Sequence, residues 1–139
     1  MRVVFVDSSF YIAFAHVRDG DHAAAVRLSF ELDAADANYV TSPAVILKVL
    51  AYFSRLGPRL RERAALLAER LMTSAIVDVV ALDKGILRAA VDLYRDLSIS
   101  GTASPTALGM VICRERRITE VLTTDGDFEA EGFMILLKR

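Results

Sequence analysis

At 139 residues the chain is long enough for one domain with a full hydrophobic core, read here as a single unit over residues 1–139. Its 17 Lys+Arg against 18 Asp+Glu give a net charge of −1, which excludes a nucleic-acid binder announced by bulk charge but leaves room for a local basic patch. Hydrophobic residues reach 54%, above the usual share for a globular domain, which points to a large core or an apolar subunit interface.

The chain opens on "RVVFVD", a continuous β-branched and aromatic run ending in Asp7. Such a run fits a strand buried on both faces, as in a parallel sheet. This start reads as a strand rather than a signal peptide, and no apolar run is long enough to span a membrane, so a cytoplasmic location is expected. A short helix "SSFYIAFAH" and a longer one "GDHAAAVRLSFELDAAD" follow, with His16 and His22 flanking a polar turn and expected to be solvated. A brief strand "NYVTS" leads to the helix "PAVILKVLAYF", where Ser42 and Pro43 supply the cap and the first helical position. That helix is apolar on every side except at Lys48. A helix of this kind is usually buried, and a buried ammonium needs a carboxylate partner, a route to water or a depressed pKa.

Next come a helix "GPRLRERAALLAERLMT", a strand "AIVDVVAL" and a helix "DKGILRAAVDLYRDL". After the loop "ISGTAS", Ser104-Pro105 repeats the cap signal and opens the helix "TALGMVICRERR". Cys113, the one cysteine, falls on this helix; it excludes an internal disulfide, fits a reducing compartment and reads as a small core residue. "ITEVLTTD" is a strand ending in Asp125, "GDFEAEGF" a loop containing Asp127, and "MILLKR" a final strand. The alternation predicts an α/β fold whose central, mostly parallel sheet has four or five strands with helices on both faces. In such sheets ligands sit beyond the carboxyl ends of the strands, where Asp7 and Asp125 both fall. Either one alone is also an ordinary turn or cap residue.

With "FVDSSFYIAF", "VTSPAVILKVLAYFSRLG" and "VLTTDGDFEAEGF" in this order and spacing, the chain resembles the PIN domains, especially the VapC-type ribonuclease toxins of toxin–antitoxin pairs. The resemblance spans essentially the whole chain and implies a three-layer α/β/α sandwich. It also implies an acidic site in which carboxylates hold Mg²⁺ or Mn²⁺ for phosphodiester hydrolysis. The implied positions are Asp7, residue 48, a residue at the start of the penultimate helix, and Asp125. The family carries glutamate at the second of these, and here it is Lys48. The third lies 19 residues before the closing aspartate, at Thr106, or at Ala103 in a shifted register; neither is an acid.

Two of four core acids are thus replaced, and Asp7, Asp125 and Lys48 together leave a net charge of −1. A lysine in a ligand's place removes an oxygen donor and repels a cation, so little metal affinity is expected, with Asp7 and Asp125 the ligands if any metal binds. Lys48 is expected to enter the old metal pocket and pair with Asp7, with Asp125 as a further partner; the alternative is an ammonium that snorkels to solvent. Ser9, Thr123 and Asp127 are supporting residues, with Ser8 or Ser9 capping a helix and Thr123 and Thr124 either bracing Asp125 or simply favouring a strand. The resemblance also implies a homodimer, a possible antitoxin-like partner and possible RNA. The resulting expectation is a catalytically impaired PIN protein acting by RNA or protein binding. Its alternative is an active ribonuclease using Asp7, Asp125 and Asp127.

Arg55, Arg59, Arg61 and Arg63 form a basic cluster open to two readings, a solvated face or phosphate contacts. Arg114, Arg116 and Arg117 complement a helix C-terminus. An aromatic–basic stacking surface for single strands is not evident.

Overall fold

The structure, a computed structural model, describes residues 1–138. In chain order its elements are β1 (Val3–Val6), α1 (Ser8–Ala15), α2 (His22–Ala34), β2 (Asn38–Thr41), α3 (Pro43–Phe53), α4 (Pro58–Thr73) and β3 (Val77–Val79). There follow α5 (Lys84–Asp96), α6 (Ser104–Arg116), β4 (Glu120–Leu122), α7 (Gly126–Ala130) and β5 (Met134–Ile135). The strands form one sheet in the order β3-β2-β1-β4-β5, and every pairing is parallel. The sheet has five strands, where four or five were expected, and is parallel throughout rather than mostly so.

β1 is the central strand, and its Val4, Phe5 and Val6 are buried on both faces of the sheet. Successive side chains of a strand point to opposite faces. Val6 shares an apolar pocket with Phe10 and Tyr11 of α1 and Leu67 and Leu71 of α4. Phe5 faces the other way, toward α6 and α7: its ring centroid lies 6.3 Å from that of Phe128. At Gly109 of α6 an added Cβ would stand 2.9 Å from Phe5 Cε1, so the missing side chain lets this helix close on the strand. Helices therefore cover both faces, giving the α/β/α sandwich. No helix among the described residues is long and apolar enough to cross a membrane.

Three local expectations are corrected. The segment after Asp125 is a short helix, α7, because Asp125 caps it: its carboxylate accepts the Asp127 N–H at 2.9 Å. The last strand is confined to Met134–Ile135, and Arg139 of the expected "MILLKR" strand lies outside the described residues. α6 begins one residue earlier than the Ser-Pro signal suggested, with Ala103 at the cap position and Ser104 in the first turn. The corresponding signal at α3 holds: Ser42 Oγ accepts the Val45 N–H at 3.2 Å.

Candidate functional site

The carboxyl ends of β2, β1 and β4 lie side by side, and the site is built where β1 meets β4. The Asp7 N–H donates to Leu122 O at 3.1 Å, extending the β1–β4 ladder by one bond. The Thr41 hydroxyl at the end of β2 donates to Val6 O at 2.8 Å. Asp7 then occupies the cap position of α1, and its buried side chain makes no capping bond across the first turn. Its Oδ2 instead receives the Thr123 hydroxyl at 2.7 Å.

Thr123 is fully buried and joins the two acids. Its single hydroxyl proton goes to Asp7, so its oxygen must accept from its other neighbours. It accepts the Asp125 N–H at 3.0 Å. The Ser9 hydroxyl, 3.2 Å away, is therefore the donor in that contact. Ser9 Oγ in turn accepts the Thr124 N–H at 3.1 Å. The expected supporting residues Ser9 and Thr123 are thus brought together with Asp7 and Asp125, and Thr124 joins them through its backbone rather than its hydroxyl.

Asp125 uses both carboxylate oxygens: Oδ1 takes the Asp127 N–H, and Oδ2 takes the Thr106 hydroxyl at 3.2 Å. Of the two candidate positions at the start of α6, Thr106 is the one that makes this contact. Thr106 is buried in the site, whereas Ala103 is exposed. Asp127 meets the site through its backbone N–H, in the first turn of α7.

Lys48 departs from expectation. It is exposed, because α3 buries only the face formed by Val45, Ile46, Val49 and Phe53 and leaves Leu47, Lys48, Ala51 and Tyr52 to solvent. A helix apolar nearly all round is therefore not buried all round here. Lys48 forms no ion pair among the described residues, so the expected direct pairing with Asp7 is absent. Its charge nonetheless reaches Asp7. Burial pushes the Asp7 carboxyl above the usual carboxylate range; the Thr123 and Ser8 hydrogen bonds and the Lys48 ammonium pull it down without cancelling that rise, and the Asp125 charge adds to it.

A divalent ion bound by protein alone requires several deprotonated oxygen donors in one place. Two carboxylates face this site, one pushed toward its protonated form and the other already accepting at both oxygens. Among the described residues no three His, Cys, Asp or Glu side chains are grouped to hold a metal. Asp7 and Asp125 are therefore the carboxylates that would hold such an ion, a sparse set among the described residues.

Other singled-out residues lie elsewhere. Arg55, Arg59, Arg61 and Arg63 are exposed around the α3–α4 turn, and Arg61 Nη1 donates to Ser54 O at 3.2 Å. Arg114 pairs with Glu131 at 3.1 Å and lies over the Phe133 ring, and Arg116 pairs with Asp78, so both are engaged within the fold. Cys113 is buried and its thiol is pushed up to about 12 by burial, which makes it unreactive. The histidines are half-buried rather than solvated: a ring nitrogen of His22 lies 2.8 Å from Ala13 O, and His16 packs edge-on against Phe53.

Against this geometry, the family model for the PIN domain matches residues 4–133. Among solved structures, VapC20 of Mycobacterium tuberculosis, a toxin that cleaves the sarcin–ricin loop, superposes with a TM-score of 0.81 at 26% identity, over 94% of this chain and 96% of that one. VapBC2 of Rickettsia felis, bound to a DNA fragment from its promoter, gives 0.66 at 10% identity over 96% of each chain. FitAcB of Neisseria gonorrhoeae gives 0.64 at 14% identity, again over 96% of each. No curated protein sequence matches the chain significantly. The strand order, the paired acids at the β1 and β4 ends and the matched residues together make this chain a member of the PIN domain family.

Proposed function

We propose that this chain is a VapC-type PIN protein whose metal-dependent ribonuclease chemistry is impaired, and that it works by holding RNA rather than cutting it. One observation carries the reading: Asp7 and Asp125 are joined through Thr123, while the two positions that would complete the acid set hold Lys48 and Thr106. A lysine whose field reaches Asp7 opposes the cation that hydrolysis requires. Thr106 adds a neutral hydroxyl that occupies Asp125.

The likeness to VapC20 and the resemblance to toxins of toxin–antitoxin pairs support an antitoxin-like protein partner and a cytoplasmic location. A homodimer is supported by α5, which leaves Leu87, Val91 and Tyr94 exposed along one face. The test is RNA cleavage in Mg²⁺ or Mn²⁺ by the full chain beside its Lys48→Glu, Thr106→Asp double variant. The wild type leaves RNA intact and the double variant gains cleavage. Cleavage by the wild type that is abolished in Asp7→Ala overturns the reading in favour of an active ribonuclease using Asp7, Asp125 and Asp127.

A further inference from the structure

Resting on the RNA-binding reading above, we infer that Tyr52, braced by His16, is a stacking platform for one unpaired RNA base, flanked by the cations of Lys48 and Arg55. Tyr52 is 45% exposed, while the neighbouring Phe53 is 1% exposed and anchors the group. The Tyr52 ring meets Phe53 edge-on at 5.1 Å, and His16 meets Phe53 edge-on at 5.8 Å and Tyr52 at 6.1 Å. The Tyr52 hydroxyl lies 3.4 Å from His16 Nδ1. A buried ring thus fixes an exposed one, which lowers the entropy lost when a flat ligand settles on it.

The charge around the ring selects the occupant. No ion pair among the described residues involves residues 41–74. That segment carries Lys48, Arg55, Arg59, Arg61, Arg63 and Arg70 against only Glu62 and Glu69. In a chain of net charge −1, this segment carries an excess of four positive charges. Lys48 lies one helical turn before Tyr52 on the same face, and Arg55 follows in the turn after the helix. An exposed aromatic face between backbone-seeking cations is what single-stranded nucleic acid uses, with phosphates on the cations and a base on the ring.

The platform also leads to the acid pair. α1 runs beside α3 from Asp7 at its start to His16 at its end, about 13 Å by helical rise. Lys48, one turn before Tyr52 on α3, carries a charge that acts on Asp7. A strand stacked on Tyr52 is thereby led along Lys48 toward the end of β1. The stacking surface that could not be read along the sequence is assembled from His16 and Tyr52, which meet only in the fold.

The experiment is fluorescence anisotropy with a short, labelled, mixed-sequence single-stranded RNA, the full chain and no divalent metal, repeated over a range of salt. Tyr52→Ala weakens binding about tenfold, the order expected for one stacked base, and leaves the salt slope unchanged. Tyr52→Phe keeps the ring and binds as the wild type does. Arg55→Gln lowers the salt slope by about 0.7, the value for one phosphate contact on a single strand. If Tyr52→Ala binds RNA normally while Arg55→Gln weakens it, the platform is wrong and RNA binding stands. If the wild type binds no RNA, both readings fall. If Tyr52→Ala instead reduces self-association in light scattering with RNA affinity unchanged, the ring belongs to a protein contact and the proposal is overturned.

Discussion

Thr106 donates its hydroxyl proton to Asp125 Oδ2 across 3.2 Å, joining the first turn of α6 to the end of β4. Together with Thr123, which serves Asp7 and Asp125 at once, it makes the centre of the molecule a hydroxyl-bridged acid pair. The bridges join a buried carboxyl, Asp7, to a half-buried one, Asp125, and stability is expected to depend on them.

Thr123→Val removes the donor to buried Asp7 and the acceptor of the Asp125 N–H while keeping shape. Leaving buried polar groups unpaired costs on the order of 1–3 kcal/mol. Chemical denaturation of the variant is expected to show a loss of this order, with Thr123→Ser retaining most of the wild-type stability. A loss confined to a few tenths of a kcal/mol in the valine variant contradicts the bridging role.

Asp7 sets a pH dependence whose sign follows from its burial. Its folded pKa is raised above the ordinary value of 3.8. Below that ordinary value the group is protonated in both states and imposes no charge-burial cost. As pH rises toward the folded pKa the unfolded chain releases its proton while the native state keeps it, so stability is lost through that window and levels off above it. Asp7→Asn cannot ionise. The stability advantage of Asp7→Asn over wild type should therefore grow as pH is raised from about 4, measured by denaturation at a series of pH values. An advantage that shrinks with rising pH rules out the raised pKa.

Gly109→Ala tests the seat of α6 on β1. Alanine favours a helix interior over glycine by about 1 kcal/mol. Here the new methyl meets the buried Phe5 ring at 2.9 Å, and overpacking of this kind typically costs about 1–3 kcal/mol. Thermal unfolding is expected to show net destabilisation; a stabilised variant means the helix rides farther from the strand.

α5 exposes Leu87, Val91 and Tyr94 at helical spacing, a face that no other element covers fully. Leu87→Asp places a charge on this face. Light scattering is expected to show a dimer for the wild type and a monomer for this variant. A wild type that is monomeric at micromolar concentration removes the dimer from the proposal.

The sheet was legible because parallel strands buried on both faces read as unbroken apolar runs, as at Val3–Val6. The helix carrying Ser42-Pro43 was legible from its cap chemistry. The nearness of Asp7 and Asp125 was legible too, since both follow strands of one parallel sheet, Asp7 immediately after β1 and Asp125 three residues beyond β4, which ends at Leu122 rather than at Asp125. What escaped reading depends on which face of an element finds a neighbour. Lys48 looked buried because its helix is apolar nearly all round, yet only one face packs. α7 looked like a loop because five residues are too few for a periodic signal, and the Asp125 side chain is what starts it. The register of Thr106 against Ala103 needed the contact with Asp125, which joins residues on different elements.

On the proposed reading, Lys48 and Thr106 leave this PIN domain unable to hold a divalent ion by itself. Calorimetric titration of the full chain with Mn²⁺ reads this out. Heat without saturation from the wild type, set against saturable binding once Lys48→Glu and Thr106→Asp are introduced together, is the expected pattern. Saturable binding by the wild type that disappears in Asp7→Ala contradicts it.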